Sequence, residues 1–355
     1  MENISVMLRG RVAIAAFVFL AGIYASTGCP EAGVCSGNVG RPFSFIVFGD
    51  SRDNVSGVSP VLTRLVQTMA AHVDGDKPAP SFAVFMGDAA TTGGPGNLKL
   101  WDNITSGLST KIPVLFVKGN HDIYGGSSNG FSLDGDFQEF QKERLDKGVN
   151  INSRCVQRLP GNSGYSAFSF IWDGSLFVIL DTYDMPMPDH QYNGWVSSRQ
   201  RDMLGRELDN TTPRHKFVFY HTPAFDNAVH NNIGKSEYMG SWSADFMDMW
   251  KVIDKNAVDI VFSGHSHYYA RRKIDSTVNS GWSKNGVLQV ISGGAGAPFN
   301  DPQSCMGSFC FKYDNPPEIS KIYHFIIVTV TAEKVSYKLY DVNDKQIEEY
   351  VISKN

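Results

Sequence analysis

The sequence predicts an α/β fold, and three observations predict it. Apolar runs of strand length end at a glycine followed by a carboxylate, as in Phe43-Ser44-Phe45-Ile46-Val47-Phe48 before Gly49-Asp50 and Ser81-Phe82-Ala83-Val84-Phe85-Met86 before Gly87-Asp88. Asp50 to Asp88 is 38 residues and Asp88 to Asn120 is 32, each enough for a strand, a crossover helix and a parallel partner. Between the first two ends, Val58, Val61, Leu62, Leu65, Met69 and Val73 recur at helical spacing, so an amphipathic helix has to cover a sheet there.

The chain opens with Arg9 and Arg11, an apolar run from Val12 to Ala25 broken only by Gly22, and the small residues Ser26-Thr27-Gly28 before Cys29. A positive flank, a short apolar stretch and small residues mark 1–28 as an export signal; roughly fourteen apolar residues are too few to span a bilayer comfortably. Thr27-Gly28-Cys29 resembles the cleavage box of bacterial lipoproteins, although Ser26 stands where a larger aliphatic residue is usual. Lipid on Cys29 and ordinary secretion both remain open, and either places the protein in the cell envelope or periplasm. Membrane association is expected only through this segment. A glycine-rich tether follows over 29–42, and the domain is expected over 43–353.

Pro113-Val114-Leu115-Phe116-Val117 reads as a buried strand delivering Gly119-Asn120-His121-Asp122 to its carboxyl end, which is where open α/β sheets bind ligands. Residues 123–164 form a polar, glycine-dotted excursion with one helix near 137–145, either a lid, a substrate wall or an inert insertion. The segments 165–171 and 175–180 read as a hairpin entering a second sheet, and 200–208 reads as a helix. Lys216-Phe217-Val218-Phe219-Tyr220 leads to His221, and Val258-Asp259-Ile260-Val261-Phe262 leads to Gly264-His265-Ser266-His267. Segments 324–330, 335–340 and 347–351 alternate with period two and predict an antiparallel C-terminal hairpin. No linker, repeat or composition shift divides 43–353, so one domain is expected.

Hydrophobic content of 42% and 34 glycines in 355 residues describe a chain with a large core and many turns. A net charge of −4 supplies no electrostatic footprint for nucleic acid. Setting Cys29 aside leaves Cys35, Cys155, Cys305 and Cys310; the last two enclose four residues and could form a local disulfide in an exported protein. Asn54, Asn103 and Asn210 fit glycosylation acceptors, and these matches read as chance beside a bacterial export signal.

Asp50, Asp88, Asn120, His221, His265 and His267 offer a mixed oxygen and nitrogen donor set suited to zinc, manganese or iron. His265 and His267, two apart in a tight turn, could face two different metals if a carboxylate bridges them. A two-metal site holds its ions roughly 3.5–4 Å apart, generates hydroxide near neutral pH and clamps both oxygens of an in-line displacement. Phosphate esters are the natural substrates of such a site.

The ordered blocks Gly49-Asp50, Gly87-Asp88, Gly119-Asn120-His121-Asp122, His221 and Gly264-His265-Ser266-His267 resemble the calcineurin-like metallophosphoesterase family, including its purple acid phosphatase branch. Leu180-Asp181-Thr182 and Gly293-Gly294-Ala295-Gly296 support the likeness, which covers about 43–300. It implies a four-layer α/β/β/α sandwich of two mixed sheets. It also implies that Asp50 and His267 bind a first metal, that Asp88 bridges, and that Asn120, His221 and His265 bind a second. His121 would contact the phosphate or protonate the leaving oxygen, with Asp122 orienting it. His72, His190, His215 and His324 read as ordinary core or turn residues, and His230 as an outside candidate for substrate contact.

Two departures qualify the likeness. Asp50-Ser51-Arg52 stands where many members have a histidine two residues after the aspartate, so the first metal loses a ligand and is expected to be weakly held. Arg52 instead could hold a phosphate oxygen. Thr91 stands where the purple branch has its tyrosine, so no purple colour is expected. The expected activity is metal-dependent hydrolysis of a phosphomonoester, with phosphodiester hydrolysis or non-catalytic binding of a phosphorylated ligand as alternatives.

Overall fold

The structure, a computed structural model, describes residues 41–55, 57–126, 130–146, 157–158, 164–185, 194–210, 213–227, 244–278, 280–281, 283–302 and 312–353. The export signal, all five cysteines and His190 and His230 lie outside the described residues. Among the described residues no helix is long and apolar enough to cross a membrane.

Strand β1 (Phe43–Phe48) is buried at all six positions, because its alternate side chains enter two different cores. Phe45 and Val47 point into one core, Ile46 and Phe48 into the other. The same double burial makes β2 (Pro80–Phe85) and β3 (Val114–Phe116) continuous apolar runs, and β1, β2 and β3 pair in parallel. The C-terminal strands β11 (His324–Val330), β12 (Lys334–Asp341) and β13 (Gln346–Ser353) extend this sheet, β11 pairing antiparallel with β1 and each later strand antiparallel with the one before, in the order β13-β12-β11-β1-β2-β3.

A second sheet runs β4 (Gln157–Arg158), β5 (Phe168–Trp172), β6 (Ser175–Ile179), β7 (Lys216–Phe219), β8 (Ile260–Ser263), β10 (Val287–Ser292) and β9 (Tyr269–Ile274). Its central strands β6, β7, β8 and β10 are parallel. The sheets face each other across an aromatic core in which Phe45 stacks on Phe82 at 5.2 Å and meets Phe177 and Phe217 edge-on at 5.3 Å. Each buried ring stabilises the pair by about 1.5–3 kcal/mol from area alone.

Helices α1 (Val61–Gly75), α2 (Pro95–Ser109) and α3 (Asp134–Asp146) cover the outer face of the first sheet, through Leu62, Leu65, Trp101 and Phe137. Helices α4 (Ser198–Asn210) and α5 (Ala244–Lys255) cover the second, through Leu204, Met249 and Trp250. The layers are therefore α/β/β/α. Helix α1 starts later than its apolar periodicity, because Pro60 caps it and Val58 instead bridges Arg52 across a turn. The described part of the 123–164 excursion is mostly α3, packed beside α2 and tied down by a 2.6 Å contact between Lys118 Nζ and Asp134. Strands β9 and β10 go beyond what sequence periodicity predicts: β9 is an edge strand whose Arg271, Arg272 and Lys273 mask its character, as edge strands allow.

The histidines that read as ordinary are accounted for where described. His215 sits between Asp259 at 3.1 Å and the Thr331 carbonyl at 3.0 Å, and His72 lies between Asp76 and Asp344. His324 donates from Nδ1 to the Ile322 carbonyl at 3.0 Å and accepts at Nε2 from Ser292 Oγ at 3.1 Å. Burial pushes its pKa from 6.5 down to about 4. The unfolded chain therefore takes up a proton below pH 6.5 that the native state refuses, and stability falls as pH drops from there toward 4, by about 3 kcal/mol in all. Urea denaturation at about pH 7.5, above that window, and at about pH 4.5, near its acid end, checks this. His324→Asn is expected to show the shallower acid loss, and equal losses would remove His324 as the cause.

Candidate metal centre

Five strands end at one cleft. β1 delivers Asp50, β2 Asp88, β3 Asn120-His121-Asp122, β7 His221 and β8 the turn 264–267. Asp50, Asp88 and His265 have φ of 61°, 59° and 67°, in the left-handed region that non-glycine residues seldom adopt. Local bonds hold them there: Asp50 N donates to the Gly87 carbonyl at 2.9 Å, and His265 N donates to the Asp50 carboxylate at 2.9 and 3.1 Å.

The glycines ahead of Asp50, Asp88, Asn120 and His265 have a steric reason. A Cβ on Gly264 would lie 2.5 Å from Asp50 Oδ2 and 2.9 Å from the Met86 carbonyl. On Gly87, with φ of 95°, it would lie 2.7 Å from both Gly119 N and His221 Nδ1. The repeated glycine-donor pairs are thus the sequence trace of backbones that must touch for their side chains to meet.

Two groups of donors result, Asp88-His221-His265 and Asp50-Asp88-His267, every position buried and the ligand atoms within each group lying within 4.8 Å of one another. Asp88 belongs to both. Asn120 joins the first through Oδ1, 3.1 Å from His265 Nδ1. Each of two imidazoles is fixed from behind: His221 Nδ1 donates to the Met86 carbonyl at 2.6 Å, and His267 Nδ1 donates to the Pro298 carbonyl at 2.7 Å. That leaves Nε2 of both rings turned toward the carboxylates, 3.4 Å from Asp88 and 3.8 Å from Asp50. Such backing fixes the tautomer a metal needs.

Buried ionisable groups crowd the cleft and shift one another. Burial, reinforced by Asp88, pushes the Asp50 carboxyl well above the usual range, while His221 and Arg52 pull the other way. For Asp88 burial is overcome by His221, His121 and Arg52, which hold it well below that range. Burial also acts to lower the His221 pKa, but Asp88 and Asp50 outweigh it and raise the pKa to about 9. His221 Nε2 is a buried nitrogen with no hydrogen-bond partner among the described residues. Two buried carboxylates facing such a nitrogen fit a borderline divalent metal, which takes both donor types at once.

His121 and Asp122 are placed differently from expectation. The Asp122 carboxylate accepts three backbone N–H groups, from Asp88 at 2.9 Å, Ala89 at 2.8 Å and Gly119 at 2.8 Å. The role of orienting His121 is therefore not Asp122's: His121 Nδ1 donates to the Thr91 carbonyl at 2.6 Å. Asp122 instead staples the β2 and β3 ends together, and burial plus Asp88 raises its pKa to about 7 against those three donors. Burial and Arg52 lower the His121 pKa. Thr91 itself, at the purple-branch tyrosine position, gives its hydroxyl to Asp53.

Two supporting residues, Asp226 and Asn300, escape sequence reasoning. Asp226 accepts hydrogen bonds from Ser266 Oγ, Tyr268 and Tyr313, gripping the turn between His265 and His267, and Asn300 Oδ1 accepts from His267 N at 2.7 Å. A carboxylate five residues after His221 is the only signal available for the first, and nothing marks the second.

Two packed sheets sending their strand ends to one carboxylate and imidazole cleft define the metallophosphoesterase class of fold. Sequence carries the assignment further: the model of the calcineurin-like phosphoesterase family matches residues 43–269, and the chain belongs to that family. Among solved structures, a purple acid phosphatase, PPD1, from yellow lupin (Lupinus luteus) seeds is 14% identical with a TM-score of 0.56, covering 88% of this chain and 54% of that one. PhoD is 11% identical with a TM-score of 0.57, covering 90% and 71%. GAP50, the anchor in the inner membrane complex of Plasmodium, is 12% identical with a TM-score of 0.53, covering 88% and 89%. This chain spans about half the length of the lupin protein, and at these identities the likeness is one of fold. No curated protein matches the sequence.

Proposed function

We propose that the protein hydrolyses phosphate esters, monoesters foremost, at a centre of two metal ions held by Asp50, Asp88, Asn120, His221, His265 and His267. The observation that carries this is Asp88, a buried carboxylate common to two donor groups whose ligand atoms lie within 4.8 Å. Divalent or mixed-valence ions of zinc, manganese or iron bound there supply positive charge for the phosphate oxygens and acidify a water molecule.

Hydrolysis joins a water oxygen to phosphorus and breaks the ester P–O bond, so the departing alkoxide needs a proton. His121 is the residue for that step. Its Nδ1 proton is committed to Thr91, which leaves Nε2 to carry the transferred proton. A lowered pKa makes the imidazolium a stronger, if scarcer, donor. Asp122, by holding Asp88 N and Gly119 N, keeps His121 and Asp88 in register. Tyr124 meets the His121 ring edge-on, with 5.9 Å between ring centres.

A panel of mono- and diesters assayed on protein reconstituted with manganese or zinc tests the reading; no turnover with any metal overturns it. His121→Ala is expected to slow an alkyl phosphate by about 10²–10⁴-fold and p-nitrophenyl phosphate far less, since nitrophenolate leaves unprotonated. Equal losses on both substrates would remove His121 from the acid role.

A further inference from the structure

Arg52 carries a buried Nε with no hydrogen-bond partner among the described residues. That nitrogen faces Asp88 Oδ2 at 4.0 Å, too far for a hydrogen bond, while His121 N approaches the other oxygen, Oδ1, at 2.9 Å. Arg52 and the His121 backbone thus flank the carboxylate shared by both donor groups. A buried donor left unmade is costly. Its side chain is 19% exposed, so it borders the cleft rather than the core.

The backbone beneath Arg52 is built to hold it. Arg52 bridges Val58, Ser51 N donates to the Asp88 carbonyl at 3.0 Å, and Ser51 Oγ donates to the Ala89 carbonyl at 2.9 Å. Thr91 joins the same turn to the acid: its hydroxyl binds Asp53 and its carbonyl receives His121. The backbone at Arg52 is therefore tied to His121 through Asp53 and Thr91.

We infer that Arg52 reads the charge on the substrate phosphate and makes the site selective for monoester dianions over diesters. This rests on the hydrolase reading above and deepens it. A monoester presents three non-bridging oxygens sharing two charges, a diester two oxygens sharing one. Two cations can each take one oxygen, and the third oxygen of a monoester then meets Arg52, whose planar fork suits it. A diester has an ester oxygen and its substituent in that place, which gains nothing from a guanidinium.

The test uses the full chain loaded with metal. Calorimetry gives Kd for inorganic phosphate and for dimethyl phosphate, kinetics gives kcat/KM for p-nitrophenyl phosphate and bis(p-nitrophenyl) phosphate, and elemental analysis gives metal per chain. Arg52→Gln is expected to weaken phosphate by about 10- to 100-fold and dimethyl phosphate by less than about 3-fold, with the same split in kcat/KM. Arg52→Lys, which keeps the charge without the fork, recovers part of the loss. Equal weakening of both ligands overturns the inference, as does a gain in bound metal with tighter phosphate, which would make Arg52 a cation that repels the first ion. Unmutated protein binding the two ligands equally also overturns it, whatever the variants do. If neither ester is turned over while the phosphate split holds, the hydrolase reading fails and the Arg52 assignment stands. Turnover without the split has the opposite meaning: hydrolysis stands and the Arg52 assignment fails.

Discussion

Asp88→Asn is expected to lower kcat/KM for any phosphate ester by about a thousandfold or more and to strip both metal ions rather than one. The reason is topological. Asp88 is common to both donor groups, whereas His267 belongs to one and His221 and His265 to the other. Asparagine keeps the size and an oxygen but removes the charge that would offset two cations at the proposed centre. His267→Ala is the comparison: it touches only the group containing Asp50, and one ion is expected to remain. Metal analysis after exhaustive dialysis, paired with steady-state kinetics, reads both. An Asp88→Asn protein that kept one ion and lost only about tenfold in activity would show that the two groups are independent.

Gly119→Ala should be strongly damaging, because its methyl lands on the carboxylate shared by both donor groups. Its Cβ would collide with Asp88 Oδ1 and lie 2.6 Å from Asp88 N and 2.9 Å from His221 Cε1. A side chain could swing aside, but the backbone nitrogen cannot, since it is held by the Asp122 carboxylate at 2.9 Å. Overpacking of this kind costs about 1–3 kcal/mol, and the relaxation that relieves it must displace the shared carboxylate. The denaturation midpoint falls and metal affinity falls with it. Gly205→Ala is the control, because Gly205 lies within α4 with nothing near its absent Cβ. There the same methyl is expected to stabilise by about 0.5–1 kcal/mol, through helix propensity alone. A Gly119→Ala protein with unchanged midpoint and metal content would mean the strand ends are looser than their distances imply.

Much of the fold is legible in the sequence because burial on two faces leaves continuous apolar runs. β1, β2, β7 and β8 are apolar along most of their length, and the ends of β1, β2 and β8 are marked by glycines that backbone contact requires. Helix α5 and the strands β9 and β10 are less legible. The apolar residues of β10 follow a polar loop without a donor at the end, and β9 carries three consecutive cations on an edge. The pairing of β1 with β11, which lets the C-terminal strands complete the first sheet, has no local sign at all.

The cleft divides the same way. Its donors are legible since a carboxylate, an amide or an imidazole at a strand end is visible as a letter, and five such ends at α/β spacing imply one edge. What holds each donor is not. His221 leans on the carbonyl of Met86, His267 on that of Pro298 and His121 on that of Thr91, and Asp122 directs its charge to three amides instead of an imidazole. Every residue has a carbonyl and nearly every one an amide, so these bonds leave no mark in sequence. Side-chain chemistry and periodicity determined which groups gather at the cleft; only the tertiary structure decided which nitrogen His121, His221 and His267 each turn inward, because backbone carbonyls made those choices.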